Sequence, residues 1–169
     1  MRADPLSTTI LTFVAGIGLV VDERALTEVT AVPGITVDRG VLVVDPGAEL
    51  FPGDLLHEAG HLALLTPSAR ATATGRLGDE LGAGYELGVI CWSVAAAWHL
   101  HLDLEVVFHE RGYRGDGAHL AALYRDGRAP GVPLLAWAGL AWEPGRAPPG
   151  EQPYPAMRRW VRVDEIPIA

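Results

Sequence analysis

The chain has 169 residues, 49% apolar and 20% charged, which is long and hydrophobic enough to bury one core and too hydrophobic for a disordered chain. Its 13 basic residues are all arginine and face 21 acids, for a formal charge of −8, the reverse of the balance that phosphate-tracking nucleic-acid binders carry. The single cysteine, Cys91, excludes an internal disulfide framework and a Cys-rich zinc site, so any metal must rely on His and carboxylate.

Asp4-Pro5 predicts a helix start, with Gly16 or Gly18 as its stop, and Leu19 to Val21 reads as a short strand. The apolar run from Ile10 to Val21 is shorter than the roughly 20 residues that span a bilayer. Only Arg2 is basic at the N-terminus and no Ala-x-Ala site follows the run, so no signal peptide is expected and a cytoplasmic protein is. After an aperiodic stretch to Pro33-Gly34, Ile35 to Val37, the turn Asp38-Arg39-Gly40 and the run Val41 to Val44 predict a hairpin over residues 35–45.

Asp54 is the expected N-cap of a helix over Leu55 to Leu65, ended before Pro67. Residues 68–78 read as a loop. The stretch 81–102 is apolar on nearly every face and predicts a helix buried at the centre of the domain. Shorter helices are expected over Asp103 to His109 and Ala118 to Tyr124, separated by the Gly-rich loop 111–117. From about residue 128 prolines are frequent, predicting a C-terminal wrap with helical pieces near 134–140 and 156–161. The expected architecture is a single α+β domain over 1–169, a small sheet packed against a helical core.

One motif carries chemistry: His57-Glu58-Ala59-Gly60-His61. Residues four apart share a helix face, so both imidazoles can converge on one ion, while Glu58, rotated about 100°, can reach water at that ion without ligating it. The flanking leucines make this an interior helix, and two buried imidazoles need partners. A catalytic zinc site commonly has three protein ligands and an open position. Leu64 and Pro67 stand where the extended three-histidine form needs glycine and histidine, so the third ligand is expected to be a carboxylate from a later helix. Glu86 and Glu80 are the candidates, with Asp79 better suited to an N-cap. Glu86 is preferred because it lies inside the apolar helix, where a carboxylate without a cation is costly, and because the small Gly82 and Ala83 one turn earlier allow close approach.

The run Val41 to His61, followed about 25 residues later by helix-borne Glu86, resembles the gluzincin class of zinc metallopeptidases. Within it the chain looks most like the small intracellular ImmA/IrrE-type and SprT-like peptidases of bacteria, over roughly residues 35 to 100. The resemblance implies Zn2+ on His57, His61 and Glu86, with Glu58 as general base in the hydrolysis of a protein or peptide substrate. A further donor for the oxyanion is sought among His109, Tyr113 and His119, with His109 preferred. No nucleic-acid or membrane partner is expected, and a homodimer is compatible with the hydropathy. The competing readings are a zinc-containing binding or regulatory module without turnover, and an interaction protein without metal.

Of the remaining residues, His99 and His101 lie two apart and cannot share a helix face, so they read as a helix-end boundary with solvent. Cys91 reads as a small core residue, and Trp137, Trp142 and Trp160 as packing anchors for the tail.

Overall fold

The β-branched run at 41–44 takes the middle of a three-stranded mixed sheet. Strand β3 (Val41–Val44) lies between β1 (Val20–Glu23), parallel to it, and β2 (Ile35–Asp38), antiparallel to it. The central position explains why Leu42, Val43 and Val44 are all buried, whereas β2 alternates, with Ile35 and Val37 inward. The expected hairpin is present, with Ile35 opposite Val44 and Asp38 opposite Val41. Its turn is two residues, Arg39 and Gly40, with φ of 47° and 78°, the left-handed pair that matches strand twist. A Cβ on Gly40 would also lie 2.5 Å from the Arg70 carbonyl oxygen.

The computed structural model describes residues 4–77 and 82–166. Among them are seven α-helices. Helix α1 (Pro5–Gly16) begins as predicted, with the Asp4 carboxylate accepting from the Ser7 backbone N–H at 3.1 Å. Helix α2 (Pro52–Leu64) starts earlier than predicted: Phe51 holds the capping position without a side-chain bond, and Pro52, which has no N–H to satisfy, begins the first turn. Asp54 is therefore inside that turn and free to bond elsewhere.

The predicted loop 68–78 contains a short helix, α3 (Pro67–Thr72), whose N-cap Thr66 accepts from Ala69 N–H at 3.3 Å. The central helix, α4 (Ala83–His99), is shorter than 81–102; it ends where Leu100 N–H bonds the Ala96 carbonyl and His101 turns to φ 57°. Residue 81 lies outside the described residues. Helices α5 (Leu104–Val107), α6 (Gly117–Arg125) and α7 (Val132–Trp137) follow, with a 3-10 turn at Tyr113–Gly115 before α6. No helix forms over 156–161. There Met157 bridges to Ala141 and Arg158 N–H bonds Leu140, an extended attachment that suits a stretch whose Pro153 and Pro155 lack N–H donors.

Helices α2 and α4 make the most extensive pairing in the molecule, with α1 and the sheet on α2 and α5 and α7 on α4. Leu55, Leu56, Ala59 and Leu62 of α2 and Val89, Cys91, Trp92 and Val94 of α4 are completely buried. Gly60 sets the spacing: a Cβ there would meet Val89 Cγ1 at 3.1 Å and Trp92 Cε3 at 3.2 Å. The close approach expected at Gly82 is absent, since that glycine faces open space.

Beyond α7 the chain returns to this pair. Trp160 packs edge-on against Phe13 at 4.9 Å and Trp92 at 5.7 Å, and its carbonyl accepts from Trp92 Nε1 at 2.8 Å. Trp137 and Trp142 instead lie beneath the guanidinium groups of Arg162 and Arg158. His99 ends α4, exposed, with its ring against Phe13 and Trp160. No described helix is long and apolar enough to cross a membrane.

Two glycines in helices separate packing from propensity. A Cβ on Gly53 would lie 1.9 Å from the Val106 carbonyl oxygen, whereas one on Gly84 would meet nothing. Gly53→Ala is expected to destabilise by about 1–3 kcal/mol through overpacking. Gly84→Ala is expected to stabilise by up to about 1 kcal/mol through helix propensity. Denaturant midpoints of the two variants against the parent check both signs.

Candidate metal centre

Helix α2 presents His57 and His61 one turn apart on one face, and their Nε2 atoms are 3.1 Å from each other. Glu86, in the first turn of α4, reaches across the α2–α4 crossing. Its Oε1 lies 3.1 Å from His57 Nε2 and its Oε2 3.6 Å from His61 Nε2. One donor atom from each of the three residues falls within 4.8 Å of the others. Donors bonded at about 2.0–2.1 Å to a common tetrahedral ion stand about 3.3 Å apart, so the three separations fit that arrangement. Two imidazoles and a carboxylate are also a common donor set of catalytic zinc. The cluster can therefore hold a metal ion, and with three donors it leaves a tetrahedral ion one open position.

Without a cation the four titratable groups disturb one another. Burial disfavours the charged form of His57, but the hydrogen bond and charge of Glu86 outweigh this and its pKa is raised. His61 is pushed down to about 4, first by burial and then by the neighbouring His57. The His57 hydrogen bond lowers the Glu86 pKa against the opposing effect of burial. Glu58, 6% exposed, is pushed up to about 7, chiefly by burial. In the metal-free protein Glu86 thus favours a proton on His57, whereas burial disfavours one on His61. Metal binding would displace that proton, because both imidazoles must be deprotonated to ligate.

The cluster opens on a cleft of about 690 Å³ whose lining includes Glu58, Ala31, Val32, Arg76, Leu77 and Tyr113. This lies within the range of about 300–1,000 Å³ usual for ligand-binding clefts. Among the described residues none beyond Tyr113 lines it, so the described part of the Pro-rich tail leaves this opening clear. His57, Glu58, His61 and Glu86 therefore all line one cleft. Asp79 and Glu80 lie outside the described residues.

The three candidate oxyanion donors are placed differently. His109 is not part of the cleft lining: its Nε2 bonds the Asp54 carboxylate at 2.9 Å and its ring stacks on Phe51 at 4.1 Å. His119 is exposed on α6. Tyr113 lines the cleft, with its hydroxyl 3.3 Å from His57 Nδ1.

Several contributors carried no signal in the sequence. Tyr85 stacks on the His61 ring and donates its hydroxyl proton to the His61 carbonyl at 2.7 Å. Arg70 donates to the carbonyls of Leu62, Leu65 and Arg162 at 2.7–2.8 Å, satisfying acceptors that the end of α2 leaves open. Arg162 N–H adds a bond to Ala63 at 2.9 Å. These pairings join residues far apart in the chain or on adjoining elements, and only spacing within one helix is readable beforehand.

No protein-family model, curated protein or solved structure matches this chain.

One equivalent of Zn2+ is expected to bind, as read by calorimetry and elemental analysis. At free zinc one hundred times Kd the folded state should gain about 2.7 kcal/mol, and a chelator should reverse the gain. Glu86→Gln is expected to weaken zinc binding more than about a hundredfold, since losing a ligand should exceed the 10–100-fold effect of losing an outer partner. Glu80→Gln should leave the affinity within a few-fold of the parent.

Proposed function

We propose that this protein is a zinc-dependent peptidase, similar to the small gluzincins, that hydrolyses a protein or peptide substrate at the His57, His61 and Glu86 cluster. The observation that carries this reading is the meeting of two helix-borne imidazoles, a carboxylate from a second helix and a second, buried carboxylate at one open cleft. A site built only for structure needs ligands and has no use for Glu58.

In this reading His57, His61 and Glu86 would hold the ion at the cleft. The ion supplies Lewis acidity and makes water a nucleophile near neutral pH. Glu58 accepts the proton of the attacking water and passes it to the leaving amine. Burial raises its affinity for a proton and a bound cation would oppose that, two influences that let one carboxylate both take and release a proton. In this reading the substrate lies in the cleft, whose lining includes Ala31, Val32 and Tyr113. His109 acts in this reading as an anchor for the loop that bears Tyr113 rather than as a group at the reacting carbonyl.

Glu58→Gln separates catalysis from binding. It is expected to keep zinc at the parent stoichiometry while hydrolysis of a peptide library falls by about 10²–10⁴-fold. Elemental analysis paired with mass spectrometry of the digested library gives both readouts. A zinc-loaded parent that cleaves nothing in the library would instead support a zinc-containing module without turnover.

A further inference from the structure

The two imidazoles of the cluster differ in what stands behind them. Both turn Nε2 toward Glu86. Behind His61, Nδ1 is buried and has no hydrogen-bond partner among the described residues, so that ring is steadied by stacking on Tyr85. Behind His57, Nδ1 faces the Tyr113 hydroxyl at 3.3 Å, and the two rings meet edge to face at 6.2 Å.

The placement of Tyr113 is built. Its φ of 52° is in the left-handed region, where a bulky residue is held only by its surroundings. Its ring packs against Phe108 at 5.1 Å. The loop is tied to α2 itself, because His109 bonds Asp54 at 2.9 Å and Gly112 N–H bonds the His109 carbonyl at 3.0 Å. Asp54 lies three residues before His57, close to one helical turn away on the same side. The anchor of the loop and the imidazole that Tyr113 meets therefore ride on one rigid element.

We infer that Tyr113 is a positioning residue of the metal centre: its hydroxyl oxygen accepts the Nδ1 proton of His57, fixing the tautomer and ring rotation that present Nε2 to the ion. An imidazole that ligates through Nε2 carries its proton on Nδ1, and an acceptor there orients the ring and raises its basicity. The backbone strain at Tyr113 fits this role, since a relaxed turn would not need to hold a tyrosine in a conformation better suited to Asn or Gly. The inference rests on the metal-centre part of the proposed function and is independent of turnover.

The test compares the parent with Tyr113→Phe, which keeps the ring and removes the hydroxyl, and Tyr113→Asn, which suits the left-handed backbone and cannot reach His57. Zinc affinity is measured by competition with a chelating dye, ligand geometry by the visible spectrum of the Co2+ form, and folding by the unfolding midpoint of the metal-free protein. Both variants are expected to lose about 10–100-fold in zinc affinity and to change the Co2+ spectrum, with the metal-free midpoint of at least one retained. Parent-like affinity and spectrum in a folded Tyr113→Phe protein overturn the inference. So does a loss of affinity that tracks a fall in the metal-free midpoint in both variants, or a parent that binds no zinc. If Tyr113→Phe does not fold, Tyr113→Asn decides alone. A parent that binds zinc and cleaves no peptide sinks the peptidase reading and leaves the affinity comparison to decide this one.

Discussion

The closeness of α2 and α4 is the constraint on which the other features depend. Gly60 has no side chain to hold the helices apart, so Val89 and Trp92 press against the backbone of the helix that carries both histidines. The same approach brings Glu86, one turn before Val89, over His57 and His61. Packing and site formation are here one event. The residue between the histidines that makes the helix thin also determines that a carboxylate from the facing helix can complete the cluster.

The chemistry of the cluster is shaped by its apolar surroundings. Leu55, Leu56, Leu62 and Val89 exclude water from one side, and the cleft admits it on the other. Groups that would be ordinary on a surface are displaced in opposite directions: Glu58 upward and His61 downward by burial, Glu86 downward by its imidazole neighbour. A cation would resolve these conflicts together, because it compensates for the desolvation of the donors and favours neutral imidazoles beside an ionised carboxylate. A polar cluster with a buried His61 and a half-exposed Glu86 makes physical sense as a site that receives charge.

Helix α2 is secured at both ends by residues distant in the chain. At its start Asp54 engages His109, and the stacked Phe51 and His109 rings close that corner. At its end Arg70 and the backbone of Arg162 occupy the last carbonyls, with the Trp160 region of the tail sealing the aromatic layer beside α1 and α4. The described part of the Pro-rich segment thus braces the helix that bears the histidines and contributes no residue to the cleft lining. A small chain attains a defined cleft by bracing one helix firmly and keeping the cover off its other face.

What could be read beforehand follows the range of the interactions. The hairpin was legible because turn chemistry and alternation act between neighbours, and His57, Glu58 and His61 because a helix repeats every 3.6 residues. The limits of the elements were less so: Asp54 has the chemistry of a cap, yet Pro52 starts the helix, and small polar residues after Thr66 hide a helix whose cap is local. The choice of Glu86 rested on the cost of burying a carboxylate, yet its side chain is 41% exposed in the first turn of α4, and its distance from His57 depends on a glycine in a different helix. Tyr85 and Arg70 had no pattern to announce them, and Tyr113, His109 and Asp54 were singled out for other tasks than the contacts they make. By itself the sequence determined which residues share a helix face and which strands form the hairpin, since periodicity and local sterics specify both. Only the tertiary structure decided which carboxylate meets the histidines and which hydroxyl stands behind one of them, since those contacts join segments 25–56 residues apart and exist only when the core brings the segments together.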